Sequence, residues 1–249
     1  MTLPIDLVLV RHGESEMNVA IHRSENGDHS AYTPAFRERH TSNMRLTDLG
    51  QKQAILAGEW LRSEFPAGFF HRFVASEYAR ATETAALLGL PGANWYRDFY
   101  LRERDWGQKD VEPFYWIPFG GESLAALCQR IDLVLELLRR ECSEKRVIIV
   151  CHGEVMLGFR IRIEKLSQTK FKEIYLSPKQ EDRIKNCQIL HYTRRDPQSG
   201  AIARHIDWMR MVRPAVTPIW TTGWREIVRP RYTNDDLLNI VSEIPRAIR

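Results

Sequence analysis

Cysteine is scarce in this chain, and its four copies (Cys128, Cys142, Cys151 and Cys187) show no CxxC spacing. They read as small buried hydrophobes in a reducing compartment rather than as disulfides or zinc ligands. Also missing is any apolar run of membrane-spanning length, and no basic stretch followed by an apolar one opens the chain. A soluble, cytoplasmic protein with no membrane partner is the expectation. No Gly/Ser-rich or Pro-rich linker, internal repeat or low-complexity tract divides the sequence, so its 249 residues are expected to form one domain over 1–249. Nor does either charge dominate strongly. The formal net charge of +4 suits an anionic substrate but is too small to point to nucleic acid.

What is present is an alternation of short apolar runs and helical patterns. Ile5 to Val10 and Val147 to Val150 are β-branched runs of the kind that form buried strands, and Phe73-Val74-Ala75 is a third candidate. Thr47 is placed to cap a helix carrying Leu49, Ala54, Ala57, Trp60 and Leu61. A second helix is expected over about Glu77–Leu88. Ser123 is placed to cap the clearest one, with Leu124, Leu127, Ile131, Val134, Leu135 and Leu138 on one face. Cys187–Tyr192 and Ile202–Trp208 read as half-exposed strands of a hairpin. The whole predicts an α/β fold: a three-layer αβα sandwich on a mostly parallel sheet. About 21–45 reads as a long loop insertion or a loosely helical excursion, and about 210–249 as a C-terminal extension.

Two of the apolar strands end in a histidine followed by a glycine, at Val10-Arg11-His12-Gly13 and at Val150-Cys151-His152-Gly153. In open α/β sheets ligands bind beyond the carboxyl ends of the strands. If these two strands are neighbours, both imidazoles face one crevice, and each glycine lets backbone approach a ligand closely. Arg11 adds a forked cation suited to a tetrahedral oxyanion, and Arg80 follows the third strand. Two arginines and two histidines on one spot repel one another unless an anion joins them. A phosphate satisfies that requirement.

At this point the chain resembles the histidine phosphatase superfamily, which includes the cofactor-dependent phosphoglycerate mutases. The resemblance rests on Arg11-His12-Gly13-Glu14-Ser15 with Asn18, Leu46-Thr47-x-x-Gly50, and Ser76 to Thr84 with Arg80. It continues through Leu101-Arg102-Glu103-Arg104-Asp105-Trp106-Gly107, Gly120-Gly121-Glu122-Ser123 and His152-Gly153, in order, across roughly Leu3 to Tyr192. It implies a phosphoglycerate mutase-like fold and a covalent phosphohistidine on His12, with no metal and no cofactor required. Arg11, Arg80 and His152 would clamp the phosphoryl oxygens, with Asn18 and Gly153 also at the phosphate. Glu103 would be the acid and base, a role that favours a raised pKa, although adjacent Arg102 and Arg104 pull the other way. Glu77 and Glu14 stand as substitutes.

The connection from Glu103 to His152 is only about fifty residues, mostly one helix. The glycolytic mutases of the family carry a long insertion there, so the resemblance favours a phosphatase acting on a small phosphate ester or a phosphoprotein. A mutase-type phosphoryl transferase, or a module that binds phosphate esters without turnover, stays as the alternative. His22, His29 and His40 match no compact ligand spacing and read as solvated loop residues, or as part of a basic lid with Arg23, Arg37 and Arg39. In the extension, Trp208, Trp220 and Trp224 alternate with arginines and read as packing onto the domain. Thr233 or Asn234 caps a last helix whose Leu237, Leu238, Val241 and Ile244 form a stripe that closes the domain or a homodimer, with Pro245 ending it.

Overall fold

Side chains alternate across a strand, so an unbroken apolar run buries both of its faces. That is what the two central strands do in the computed structural model, which describes residues 1–104, 121–177, 179, 182–229 and 231–242. Strand β1 (Asp6–Arg11) sends Leu7 and Leu9 into one core and Val8 and Val10 into another. Strands β2 (Arg72–Ser76) and β3 (Trp95–Asp98) precede β4 (Arg146–Cys151), which divides Val147 and Ile149 from Ile148 and Val150 in the same way. Each such side chain taken fully from water contributes about 1.5–3 kcal/mol.

The order across the sheet is β3-β2-β4-β1-β5-β6-β7, with β8 also on β6. The first four strands are parallel; β5 (Ile189–Thr193), β6 (Trp208–Arg213), β7 (Trp220–Thr221) and β8 (Arg225–Glu226) extend it antiparallel. The fold is therefore α/β with a mixed central sheet. Helices α3 (Asp48–Glu64) and α4 (Ala79–Leu87) cover one face; α5 (Leu124–Cys142) and α6 (Gly153–Glu164) cover the other. Thr47 caps α3 by accepting from the Gly50 amide at 3.1 Å, and Ser123 caps α5 through Ala126 at 3.0 Å. The six apolar residues expected on α5 are all buried.

Three expectations shift. The hairpin is β5 with β6, so its second strand starts at Trp208 rather than Ile202, and β5 is buried throughout because β1 and β6 flank it. The segment 21–45 is more helical than its polar composition suggests. Ser15 and Asn18 form a capping box that starts α1 (Glu16–Glu25), and α2 (Pro34–Glu38) and a 3-10 turn at Thr41–Asn43 follow. The chain after 210 does not all lie outside the sheet, since β6 to β8 belong to it. Arg213 lies over Trp220 (4.4 Å) and Arg210 over Trp224 (4.6 Å), so these tail residues pack on one another. In α8 (Asn234–Ser242), preceded by α7 (Gln168–Leu176), Thr233 and Asp236 cap each other, while Leu237, Leu238 and Val241 are exposed. Asp105 to Gly107, Gly120, Ile244 and Pro245 lie outside the described residues. Among the described residues no helix is long and apolar enough to cross a membrane.

One close approach explains the spacing of the first two motifs. A Cβ on Gly50 would sit 1.9 Å from the Glu14 carbonyl oxygen, and one on Gly13 would sit 2.3 Å from the Gly50 oxygen. Gly13 therefore serves backbone contact with α3 rather than approach to a ligand. Gly50→Ala should destabilise the protein by about 1–3 kcal/mol in chemical denaturation, because the obstacle is backbone and cannot rotate away.

Candidate active site

Parallel pairing of β1 with β4 sets Arg11 opposite Cys151, and the His12 amide continues the ladder to the Cys151 oxygen at 3.0 Å. His12 and His152 therefore leave the sheet side by side, with ring centroids 5.1 Å apart. Strand β2 ends at Ser76 beside them, and α4 begins three residues later. Helices α4 and α6 both start here without a side-chain cap, so their first N–H groups face the same end of the sheet.

His12 is buried, and its two nitrogens have distinct tasks. Nδ1 lies 2.7 Å from the Gly13 oxygen, which can only accept. Nε2 receives the Arg80 Nε–H at 3.2 Å, so it is an acceptor. Together these contacts select the neutral ring with its proton on Nδ1. Burial, then Arg80 and Arg11, hold the imidazole well below its ordinary pKa. This favours a neutral ring whose Nε2 lone pair faces Arg80.

The surrounding groups are donors. Arg80 is buried and also donates from Nη1 to the Thr41 oxygen at 2.8 Å. Arg11 donates from Nη1 to the Ile184 oxygen, but its buried Nε has no hydrogen-bond partner among the described residues. His152 Nδ1 is likewise buried and without one. A Cβ on Gly153 would lie 3.5 Å from Arg11 Nε, so the glycine leaves space beside that nitrogen. Buried unpartnered nitrogens of this kind are uncommon, and each costs about 1–3 kcal/mol until an acceptor arrives. Asn18 is tied to His12 through Asn186. Its Oδ1 accepts from Ser15 N (3.1 Å), Ser15 Oγ (3.1 Å) and Asn186 Nδ2 (3.1 Å), which leaves its NH2 as the end suited to an oxyanion.

Glu103 follows a 3-10 turn at Phe99–Leu101 and is half-buried, with Oε1 accepting the Arg104 amide at 3.1 Å. Its carboxyl is pushed up to about 7 by burial and by the Glu154 carboxylate, against the pull of Arg80, the Arg104 amide and Arg11. The neighbours Arg102 and Arg104 do not depress it as their sequence position suggests. Arg102 lies over the Phe99 ring at 4.3 Å, and the Arg104 side chain donates to the Glu122 oxygen (2.7 Å) and reaches Glu154 (3.4 Å). Of the two substitutes, Glu14 is held by the Thr47 hydroxyl at 2.8 Å and Glu77 is exposed.

Three site residues carry tasks that the sequence alone did not assign. Ser76 Oγ lies 2.8 Å from His152 Nε2 and accepts the Tyr78 amide at 3.4 Å. A serine that donates its one proton to Nε2 leaves the His152 proton on Nδ1, the unpartnered atom, as a donor for an oxyanion. Asn186 Nδ2 donates to the His12 oxygen at 3.1 Å as well as to Asn18. Thr84 Oγ1 accepts the Gly13 amide at 3.1 Å. The strand end at Ser76, matching those at Arg11 and Cys151, was the available signal for the first. Ser76→Ala should lower kcat about tenfold with little change in fold stability, Ser76→Thr restoring it, as read by steady-state kinetics beside thermal unfolding.

Of the expected lid cations, Arg39 pairs with Glu16 (3.1 Å) and Arg37 donates to the Tyr32 oxygen (3.0 Å), while the Thr41 oxygen of the same segment accepts from Arg80. His22, His29 and His40 do not converge. His29 bonds Ser24 and His40 caps the 3-10 turn. Beside the pocket a cleft of about 820 Å³ is lined by His40, Ser42, Tyr78, Phe99 and Arg102 among others. Tyr78 is the shared wall, its ring 5.2 Å from that of His152.

Fold and site together define an α/β sandwich with a buried histidine–arginine cluster at the carboxyl edge of its parallel strands. A model of the histidine phosphatase superfamily (branch 1) matches residues 7–114 and 109–185, and the chain belongs to that superfamily. It is 28% identical over 199 residues, 69% of this chain and 85% of the relative, to a 2,3-bisphosphoglycerate-dependent phosphoglycerate mutase of Allorhizobium ampelinum. It is 30% identical over 173 residues, 59% of this chain and 68% of the relative, to a glucosyl-3-phosphoglycerate phosphatase of Mycolicibacterium vanbaalenii. Among solved structures, a mycobacterial glucosyl-3-phosphoglycerate phosphatase complexed with VO3 superimposes with a TM-score of 0.57 at 23% identity, covering 90% of this chain and 98% of that one. That likeness supports the fold.

Proposed function

We propose that the protein is a phosphatase that hydrolyses a phosphomonoester through a phosphohistidine on His12. The observation that carries this is the pair of buried nitrogens without a partner among the described residues, Arg11 Nε and His152 Nδ1, beside the Nε2 of a neutral His12 that accepts from Arg80. In the first half-reaction Nε2 forms a bond to phosphorus as the ester P–O bond breaks, and Glu103 gives its proton to the departing alkoxide. In the second, water attacks phosphorus, its proton passes to the Glu103 carboxylate, and the N–P bond breaks to return neutral His12 and inorganic phosphate. Arg11, Arg80, His152 and the Asn18 amide bind the equatorial oxygens, whose charge grows in the transition state. Arg80 must turn from His12 Nε2 to the phosphoryl group for attack to begin.

A mutase uses the same first half-reaction, and relatives of both kinds match the chain. The short Glu103–His152 connection favours water over a second alcohol as acceptor. Alkaline quenching during turnover of a 32P-labelled ester should trap label on the wild-type protein, because the N–P bond of a phosphohistidine survives base and hydrolyses in acid. Label that transfers to an added alcohol in place of water would favour the mutase. Ester binding without any label would favour a binding module.

A further inference from the structure

The chain enters β5 through a four-residue turn, Lys185 to Gln188, that is closed twice. The Gln188 amide donates to the Lys185 oxygen at 3.0 Å, and the Lys185 amide donates back to Gln188 Oε1 at 2.9 Å. Cys187, third in the turn, is buried and has a φ of 54°. Glycine is the usual occupant of such a place, and a residue with a side chain holds it only where its surroundings impose it. What the turn gains is a pair of donors on one atom. The Cys187 amide (3.3 Å) and Asn186 Nδ2 (3.1 Å) both reach the His12 main-chain oxygen.

The hydrogen-bonding partners also fix which way two side-chain amides face. A carbonyl oxygen only accepts, so the Asn186 atom at His12 is its NH2. That same NH2 lies 3.1 Å from Asn18, and the Ser15 amide, which only donates, lies 3.1 Å from the same Asn18 atom; that atom is therefore Oδ1. Ser15 Oγ, also 3.1 Å away, can donate or accept and so does not choose. The Ser15 amide and Asn186 are thus the two groups that oppose reversal of Asn18, and a reversed Asn18 would set NH2 against both. The first belongs to the start of α1; the second comes from the far end of the chain.

We propose that Asn186 is a positioning residue with two separable tasks: it aims the Asn18 NH2 at a phosphoryl oxygen, and it fixes the backbone from which His12 attacks. This deepens the phosphatase assignment and rests on it for the second task only. Asn186→Leu keeps the branched shape of the side chain and removes both donors, while the Cys187 amide stays on the His12 oxygen. Affinity for inorganic phosphate, read by calorimetry, should fall about fivefold, and kcat for an aryl phosphate about tenfold. The two losses should then part in a double-mutant cycle. In a protein already carrying Asn18→Ala, adding Asn186→Leu should change phosphate affinity by less than about twofold, while the loss in kcat persists because the His12 oxygen is still released. Asn186→Ala runs the same cycle at smaller volume if leucine lowers the unfolding temperature. Phosphate losses that simply add in the cycle, or phosphate affinity and kcat both unchanged in a folded single variant, overturn the proposal. A wild-type protein that binds no phosphate overturns it together with the pocket. Phosphate binding with the expected coupling, but no ester hydrolysis, supports the Asn18 task and overturns the phosphatase assignment alone.

Discussion

Alanine in place of His12 should lower turnover of an aryl phosphate by about 10⁴-fold or more and leave no label trapped by alkaline quenching, while inorganic phosphate still binds. The size of the effect follows from what no neighbour can replace. His152, whose ring centroid is 5.1 Å away, is the only other imidazole in the pocket, and its Nε2 is held at 2.8 Å by Ser76. Its Nδ1 is the proton-bearing end in the arrangement described above, so it offers a donor and no lone pair. Water entering the space left by the ring would meet the arginines but no base aligned in line with phosphorus. Binding should persist because Arg11, Arg80 and Asn18 are held by other contacts: Ile184, Thr41, and the capping box with Asn186. Residual turnover equal to wild type would overturn the assignment of His12 as nucleophile.

How far the site could be read from sequence depends on how locally each residue is held. Arg11, His12, His152 and Gly153 were legible because a buried strand announces itself by an unbroken apolar run, and the residues just beyond its carboxyl end must face the crevice. The two cores followed from the same runs and from the α5 stripe. The capping box of Ser15 with Asn18 is not marked by a Glu or Gln at the third helical position; Asn18 supplies it, its Oδ1 turned to the helix start. Ser76 and Asn186 act across separations of 76 and 174 residues, at His152 and at the His12 oxygen; a strand end marks the first, and nothing local marks Asn186. For Glu103 local sequence misled. The run Arg102-Glu103-Arg104 suggests a depressed carboxyl, whereas the fold turns both guanidinium groups toward Glu122 and brings Glu154 up instead. On α8, Leu237, Leu238 and Val241 are exposed on this chain, so the expected stripe does not close the domain, and its fourth member, Ile244, lies outside the described residues.

The acid gives the second large effect, and its sign can be worked out. With its pKa raised to about 7, Glu103 is protonated below that pH and can donate to a leaving alkoxide; above it the carboxylate cannot. The phosphate ester reaches its dianion near about pH 6, and His12 stays neutral throughout because its pKa lies well below the ordinary range. Plotted against pH, kcat/KM for an alkyl ester should therefore rise to a maximum between these two ionisations and fall on the alkaline side near 7. Glu103→Gln should cost about 10²–10⁴-fold with an alkyl leaving group and remove the alkaline fall. An aryl ester, whose phenoxide leaves without help, should lose less in the first half-reaction. Glu154→Gln removes the nearby like charge, so it should move the alkaline limb to lower pH while Glu103 itself is intact. Stability carries the same signature with opposite use. A carboxyl raised in the folded state favours folding below its unfolded value near 4.5 and loses that advantage as pH climbs through about 7. Denaturant titrations should accordingly show Glu103→Gln gaining stability relative to wild type between those pH values. If the two proteins run parallel there and share an alkaline limb, Glu103 is not the titrating acid and the limb belongs to another group.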